Sequence, residues 1–248
     1  MSRTLIALAV STLALAGLAF APSGGRAQAA AAASSEPVLI ELFTSQGCSS
    51  CPPADRLAGQ LASDPALVVI SRPVTYWDRL GWKDTLAREA NTELQRAYAS
   101  AGLAGQNGIY TPQMVIDGSF GAVGSQEDAV RGGIARHGGR GASAIRVRDL
   151  GAKGFAIGID GKAARPAELM LVAARRKTEV AIAHGENGGR AISYTNVLKD
   201  ERSLMAWQGG QASLVIGPDQ LRVAGADAYA LVLREPEGGK VLAARWLK

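Results

Sequence analysis

Cysteine and histidine are nearly absent from this chain of 248 residues, which has two of each: Cys48, Cys51, His137 and His184. The shortage excludes a multi-disulfide scaffold. It also leaves no second cysteine pair and no His-x3–5-His to complete a tetrahedral zinc site. A copper site of two thiolates and one histidine brought near by folding stays open as a minor alternative, so no metal and no cofactor are expected. Aromatic residues are few, at 5%. No run of Lys or Arg is longer than Arg175-Arg176-Lys177, which reads as a solvated strand end. The formal net charge is +5, and setting aside Arg3 and Arg26 of the N-terminal segment leaves 25 basic against 22 acidic residues, or +3. So small and scattered an excess gives no footprint for nucleic acid. Internal repeats are missing too.

What is present begins with a leader. Met1-Ser2-Arg3 supplies a short positive segment, Thr4 to Gly25 carry no charge, and Ala27-Gln28-Ala29 fits an A-x-A cleavage site. This predicts a secretory signal peptide over residues 1–29 and a periplasmic or secreted mature protein with no integral membrane segment. The alternative, an uncleaved anchor, has only the 17 residues from Leu5 to Ala21 to use, short of the roughly 20 a span needs. Export favours an oxidised cysteine pair.

Cys48-Ser49-Ser50-Cys51 sits between an apolar run, Val38 to Phe43, and a segment from Pro52 to Ala62 that reads as a helix with prolines in its first turn. Thiol chemistry needs the thiolate, and a helix N-terminus stabilises one. On this reading Cys48 faces solvent as the attacking sulfur and Cys51 resolves. The opposing reading is an inert bridge. A ring this small removes little chain entropy, which makes a purely structural role less attractive.

Further along, Leu67 to Val74 reads as a strand and Lys83 to Ala101 as a helix. Gln113 to Ile116 and Ser119 to Val123 form a hairpin about Asp117-Gly118, and a helix runs from Ser125 to about His137. The order is β-α-β-α-β-β-α, that of a minimal thioredoxin-like core, assigned to residues 30–140. After Gly138-Gly139-Arg140-Gly141 the chain turns to short β-like runs, so residues 141–248 are expected to form a mostly-β, sandwich-like domain. His184 to Arg190 is the polar loop in that half dense enough to be a site; its plainer reading is a long hairpin loop.

Glu41 lies within the first apolar strand, where burial is expected to raise its pKa. The likeness to thioredoxins implies a proton-accepting role for it toward Cys51; the alternative is an ion pair with a nearby Arg or Lys. The same likeness implies a cis bond at Thr111-Pro112, beside the dithiol, with backbone free to pair with an incoming chain. Trp77, Asp78 and Trp82 follow the second strand, at the sheet edge that carries Cys48. They form either a groove for a partner peptide or a cover for the apolar sheet edge.

Leu39 to Asp55, with Tyr76-Trp77-Asp78, Gly81-Trp82-Lys83-Asp84, Tyr110-Thr111-Pro112-Gln113-Met114 and Gly185-Glu186-Asn187, resembles the signature of a family of predicted secreted proteins, domain of unknown function 1223. The resemblance implies a thioredoxin-like domain with an appended β domain. It supplies no activity. The chain departs from the pattern at Pro73-Val74-Thr75, where His-Val-Asp is common, and at Tyr194-Thr195, where His or Asn is common. Both departures weigh against a metal. The expected function is thiol–disulfide exchange with exported proteins or small-molecule thiols; the alternative is a binding module with a structural Cys48–Cys51 bridge.

Overall fold

In the computed structural model, which describes residues 36–103, 105, 108–141 and 143–248, Val38–Thr44 forms strand β1 and is buried on both faces. Burial on both faces is why this strand reads as a continuous apolar run and not as an alternating one. The leader expected over residues 1–29 lies outside the described residues. Helix α1 (Pro52–Leu61), strand β2 (Leu67–Pro73), helix α2 (Glu89–Tyr98), strands β3 (Gln113–Ile116) and β4 (Phe120–Val123) and helix α3 (Glu127–His137) follow. This is the order that the sequence pattern predicts. Helix α2 begins six residues later than predicted, because Asp84 and Thr85 are drawn into contacts with Gln46.

Strand β1 pairs in parallel with β2 and antiparallel with β3, and β3 turns back to β4. Asp117 (φ 45°) and Gly118 (φ 58°) make that turn. A Cβ at Gly118 would stand 2.5 Å from the Gly239 carbonyl oxygen, so this position needs glycine. The Asp117 carboxylate locks the turn by accepting the Leu39 and Gly139 amides at 2.7 and 2.8 Å.

Strands β5 (Ser143–Asp149), β6 (Phe155–Gly161), β7 (Ala167–Ala181), β8 (Ala191–Trp207), β9 (Ala212–Ile216), β10 (Ala228–Arg234) and β11 (Val241–Trp246) complete the chain. They do not all stand apart from the first half. The main sheet has eight strands in the order β11-β10-β7-β8-β2-β1-β3-β4, and β5-β6-β9 form a second sheet of three. The fold is therefore mixed α/β, with a large mixed sheet, few helices and a mostly β character. Strand β8 makes the join: Ser71 pairs with Val197, and the Ser71 hydroxyl donates to the Thr195 carbonyl at 2.7 Å. Sequence pattern did not mark β8, since its middle, Lys199-Asp200-Glu201-Arg202, is charged and gives no apolar period.

Leu39, Val68 and Ile70 from β1 and β2 share one core with Val172, Ala230 and Val232 from β7 and β10. The sheet thus curls back on itself. On the outer face of β1 to β3, α1 and α3 cover Ile40, Leu42, Val69 and Met114. The three-stranded sheet covers the far side of β7 and β10, with Ile145 and Ile157 against Leu169, Leu171 and Leu231. That pair of facing sheets is the sandwich-like part. No helix among the described residues is long and apolar enough to cross a membrane.

A buried charge network ties these layers together. Glu41 on β1, fully buried, accepts from Arg72 Nε of β2 and from an Arg234 guanidinium N–H of β10, each at 2.7 Å, and from the Tyr98 hydroxyl of α2. Arg72 donates onward to both carboxylate oxygens of Glu201 on β8, at 2.8 and 3.0 Å. Burial pushes the Glu41 carboxyl up, but Arg234, Arg72 and Tyr98 outweigh it and hold the group at about 2, below its ordinary 4.5. This corrects the expectation of a raised value: the sequence shows the apolar strand but not the two guanidinium groups that meet there. Its contribution to stability is complete above pH 4.5 and is lost as pH falls through about 2. Glu41→Gln removes one partner from a buried pair and is expected to destabilise the fold by about 3–5 kcal/mol in urea unfolding at pH 7. A loss under about 1 kcal/mol would contradict this account of the network.

Candidate functional site

Strand β1 ends at Thr44, and the next seven residues wrap into a tight loop before α1. The Cys48 amide donates to the Ser45 carbonyl and the Cys51 amide to the Cys48 carbonyl, both at 3.2 Å. Cys48 and Cys51 are joined by a disulfide, with their Cα atoms 5.4 Å apart. Cys51 is the N-cap residue of α1 and accepts the Asp55 amide at 3.0 Å. Pro52 and Pro53 fill the first turn, so two of the N–H groups that could face a thiolate are missing there.

Both cysteines are fully buried. The sequence reading placed Cys48 at the surface, and the reason for the difference lies 139 residues away. The loop between β7 and β8 folds over the Cys48 turn. Asn187 Nδ2 donates to the carbonyls of Gln46 and Cys48, at 3.0 and 2.9 Å. The exposed Glu186 carboxylate accepts the Ser49 amide at 3.1 Å. Trp82 supports the same turn, with its indole N–H on Gln46 Oε1 at 2.8 Å and its ring 6.2 Å from that of His184. The polar loop His184 to Arg190 is thus both a hairpin connection and a wall of the site.

The remaining predicted residues fall into two groups. Trp77 lies beside the disulfide turn, since a Cβ at Gly47 would meet the Trp77 Cβ at 3.3 Å. Its indole N–H donates to Thr111 Oγ1 at 2.8 Å, which brings the Thr111–Pro112 segment to the same edge. The Thr111–Pro112 peptide bond is cis. Asp78 accepts the Asp84 amide at 3.0 Å, and Asp84 in turn accepts the Gln46 amide at 2.7 Å. Trp77, Asp78, Trp82 and Thr111 are each half-buried. They cover the disulfide turn while keeping part of their surface open. Glu41 does not join this group, because its oxygens are taken up by Arg72, Arg234 and Tyr98.

Asp55 was not singled out from sequence. It is buried in the first turn of α1, with Oδ1 accepting from the Thr44 hydroxyl at 2.9 Å and Oδ2 without a hydrogen-bond partner among the described residues. Burial pushes its carboxyl up to about 8, the Asp84 charge adds to this, and the Thr44 hydrogen bond and Arg56 oppose it. Asp84 is also raised, chiefly by burial. The available signal was spacing: Asp55 falls four residues after Cys51, on the same helix face. Among the described residues no group of three His, Cys, Asp or Glu side chains is placed to hold a metal ion.

This is a mixed α/β protein with a covered disulfide at the C-terminal end of its interior strand β1, and comparison with known proteins gives it a family. The chain belongs to the family described as protein of unknown function (DUF1223), whose model matches residues 39–234. It is similar to the crystal structure of protein AGR_C_4864 from Agrobacterium tumefaciens, with 28% identity over 85% of this chain and 93% of that one and a TM-score of 0.69. It shares its fold at lower likeness with HBP35 of Porphyromonas gingivalis, at 12% identity over 86% and 75% of the two chains and a TM-score of 0.51. No curated protein matches the chain.

The raised Asp55 group makes a stability prediction. Its folded pKa lies above its ordinary 3.8, so the stability it contributes is complete below pH 3.8 and is lost as pH rises through about 8. Asp55→Asn has no charge to bury. Its urea midpoint is expected to fall less than wild type's between pH 4 and 8 and to lie above wild type at pH 9. Parallel midpoint-versus-pH curves would contradict the assignment.

Proposed function

We propose that this protein is an exported, thioredoxin-like thiol–disulfide exchange protein acting on exported proteins or small-molecule thiols and disulfides. The observation that carries the reading is the Cys48–Cys51 disulfide at the junction of β1 and α1, with the Thr111–Pro112 segment joined to its edge through Trp77. The strand order β2-β1-β3-β4, with α1 after β1, is that of a thioredoxin-like core and supports it. So does the leader, which directs the chain to an oxidising compartment. Cys48 is the attacking sulfur, Cys51 the resolving one, and Pro112 with Thr111 shapes the groove for the substrate. Trp77, Asp78 and Trp82 form the partner-facing rim.

Access sets a condition on this activity. A buried sulfur exchanges only when its cover moves, and the cover is the loop carrying Glu186 and Asn187. A second reading, a binding module with a structural bridge, draws its support from that same burial. The two part on kinetics. Cys51→Ser in the mature protein is expected to trap a mixed disulfide with oxidised glutathione through Cys48, read by mass; no adduct at any pH would favour the inert bridge. Asn187→Ala removes both bonds that hold the loop to the Cys48 turn. It is expected to speed reduction of the disulfide by dithiothreitol about tenfold, one such increment for each 1.4 kcal/mol lost from the closed state. An unchanged rate would show that the loop does not gate the sulfur.

A further inference from the structure

Asp55 Oδ2 and Tyr194 Oη are buried and without a hydrogen-bond partner among the described residues. Unpaired polar atoms in a protein interior call for a reason, and these two are related. Burial suppresses the acidity of Tyr194 first, and the charges of Asp55 and Asp84 suppress it further, so the three side chains share one buried region.

The helix fixes where Asp55 points. Cys51 has helical backbone angles (φ −79°, ψ −34°), and its carbonyl accepts the Asp55 amide. Residues four apart on a helix lie one above the other, with Cβ atoms about 5–6 Å apart. The Asp55 carboxyl and the Cys51 side chain therefore occupy the same buried face, 3% and 0% exposed. Thr44 pins one carboxyl oxygen and leaves the other free. The other charged or titratable groups acting on Asp55 are Asp84, from the segment between β2 and α2, and the exposed Arg56 on α1.

We propose that Asp55 is the proton carrier for Cys51, and that Tyr194 positions it by donating its hydroxyl to the carboxylate when that is charged. The inference rests on the exchange reading above. The Cys48 thiolate attacks a substrate disulfide, which forms a mixed disulfide and expels one substrate thiolate. Asp55 takes the proton from the Cys51 thiol. The Cys51 thiolate then attacks Cys48 Sγ, which closes the protein disulfide and expels the second substrate thiolate. Two electrons pass from the protein dithiol to the substrate disulfide, and the proton on Asp55 passes to the departing thiolate or to water. Reduction of the protein runs these steps backward. A carboxyl held near 8 titrates in the range of a thiol, near 8.5, so proton transfer between the two is closely balanced. Glu41, held at about 2, is mismatched for that task.

The test is the closing step, measured by stopped flow after mixing reduced mature protein with oxidised glutathione across pH 6–10. Wild type is expected to close at a rate that rises with pH and levels near pH 8. Asp55→Asn is expected to lose that break and to close about tenfold or more slowly at pH 7. Closure by Asp55→Asn at the wild-type rate and with the wild-type profile overturns the inference and leaves the exchange reading standing. Failure of wild type to form any glutathione adduct overturns the exchange reading and the inference with it. Should Asp55→Asn not fold, Tyr194→Phe decides: an upward shift of the break supports the pair, and an unchanged break overturns it.

Discussion

A single buried carboxylate, Glu41, holds the two halves of this chain in one structure. It sits on a strand with no access to water and survives there as an anion because Arg72, Arg234 and Tyr98 converge on it. Those partners come from β2, β10 and α2, and Arg72 hands the network on to β8 through Glu201. Burying one charge alone is prohibitive, and burying a charge-balanced set joined by hydrogen bonds fixes which strands lie next to one another, at the cost of leaving Arg234 Nε without a partner among the described residues. The curl that brings β10 over β1 follows from the same contacts and from the apolar core between them.

That arrangement gives the disulfide its surroundings. Because β8 pairs with β2, the loop before β8 reaches the turn at Cys48, and the second half of the chain forms the cover over the first half's chemistry. The cover is polar and shallow: one asparagine bridging two carbonyls and one exposed carboxylate on an amide. Behind the disulfide the environment changes. Asp55 Oδ2 and Tyr194 Oη are buried without a partner among the described residues, while Asp84 accepts the Gln46 and Leu86 amides; burial makes both acids hold their protons more firmly than usual.

Much of this was legible in the residues. The run before Cys48, the prolines after Cys51 and the Asp117-Gly118 turn each carry a local physical signature, and their elements fall where those signatures put them. Strand β8 was not legible, because its charged middle finds partners only through tertiary contact. The partners of Glu41 were hidden for the same reason, Arg234 being 193 residues away. Cys48 read as exposed because the residues that bury it belong to a loop joined to it by no local pattern. Asp55 was visible as a helix position but not as a buried one: the second half supplies Tyr194, from β8, to the region it faces.

The most direct test of the account is the reduction potential of the Cys48–Cys51 pair in the mature protein, equilibrated against glutathione and dithiothreitol and read by mass after alkylation. The account predicts a value between about −120 and −270 mV, the range of proteins that exchange disulfides with partners. A value well below about −300 mV, where structural bridges lie, would contradict it and make the disulfide a staple.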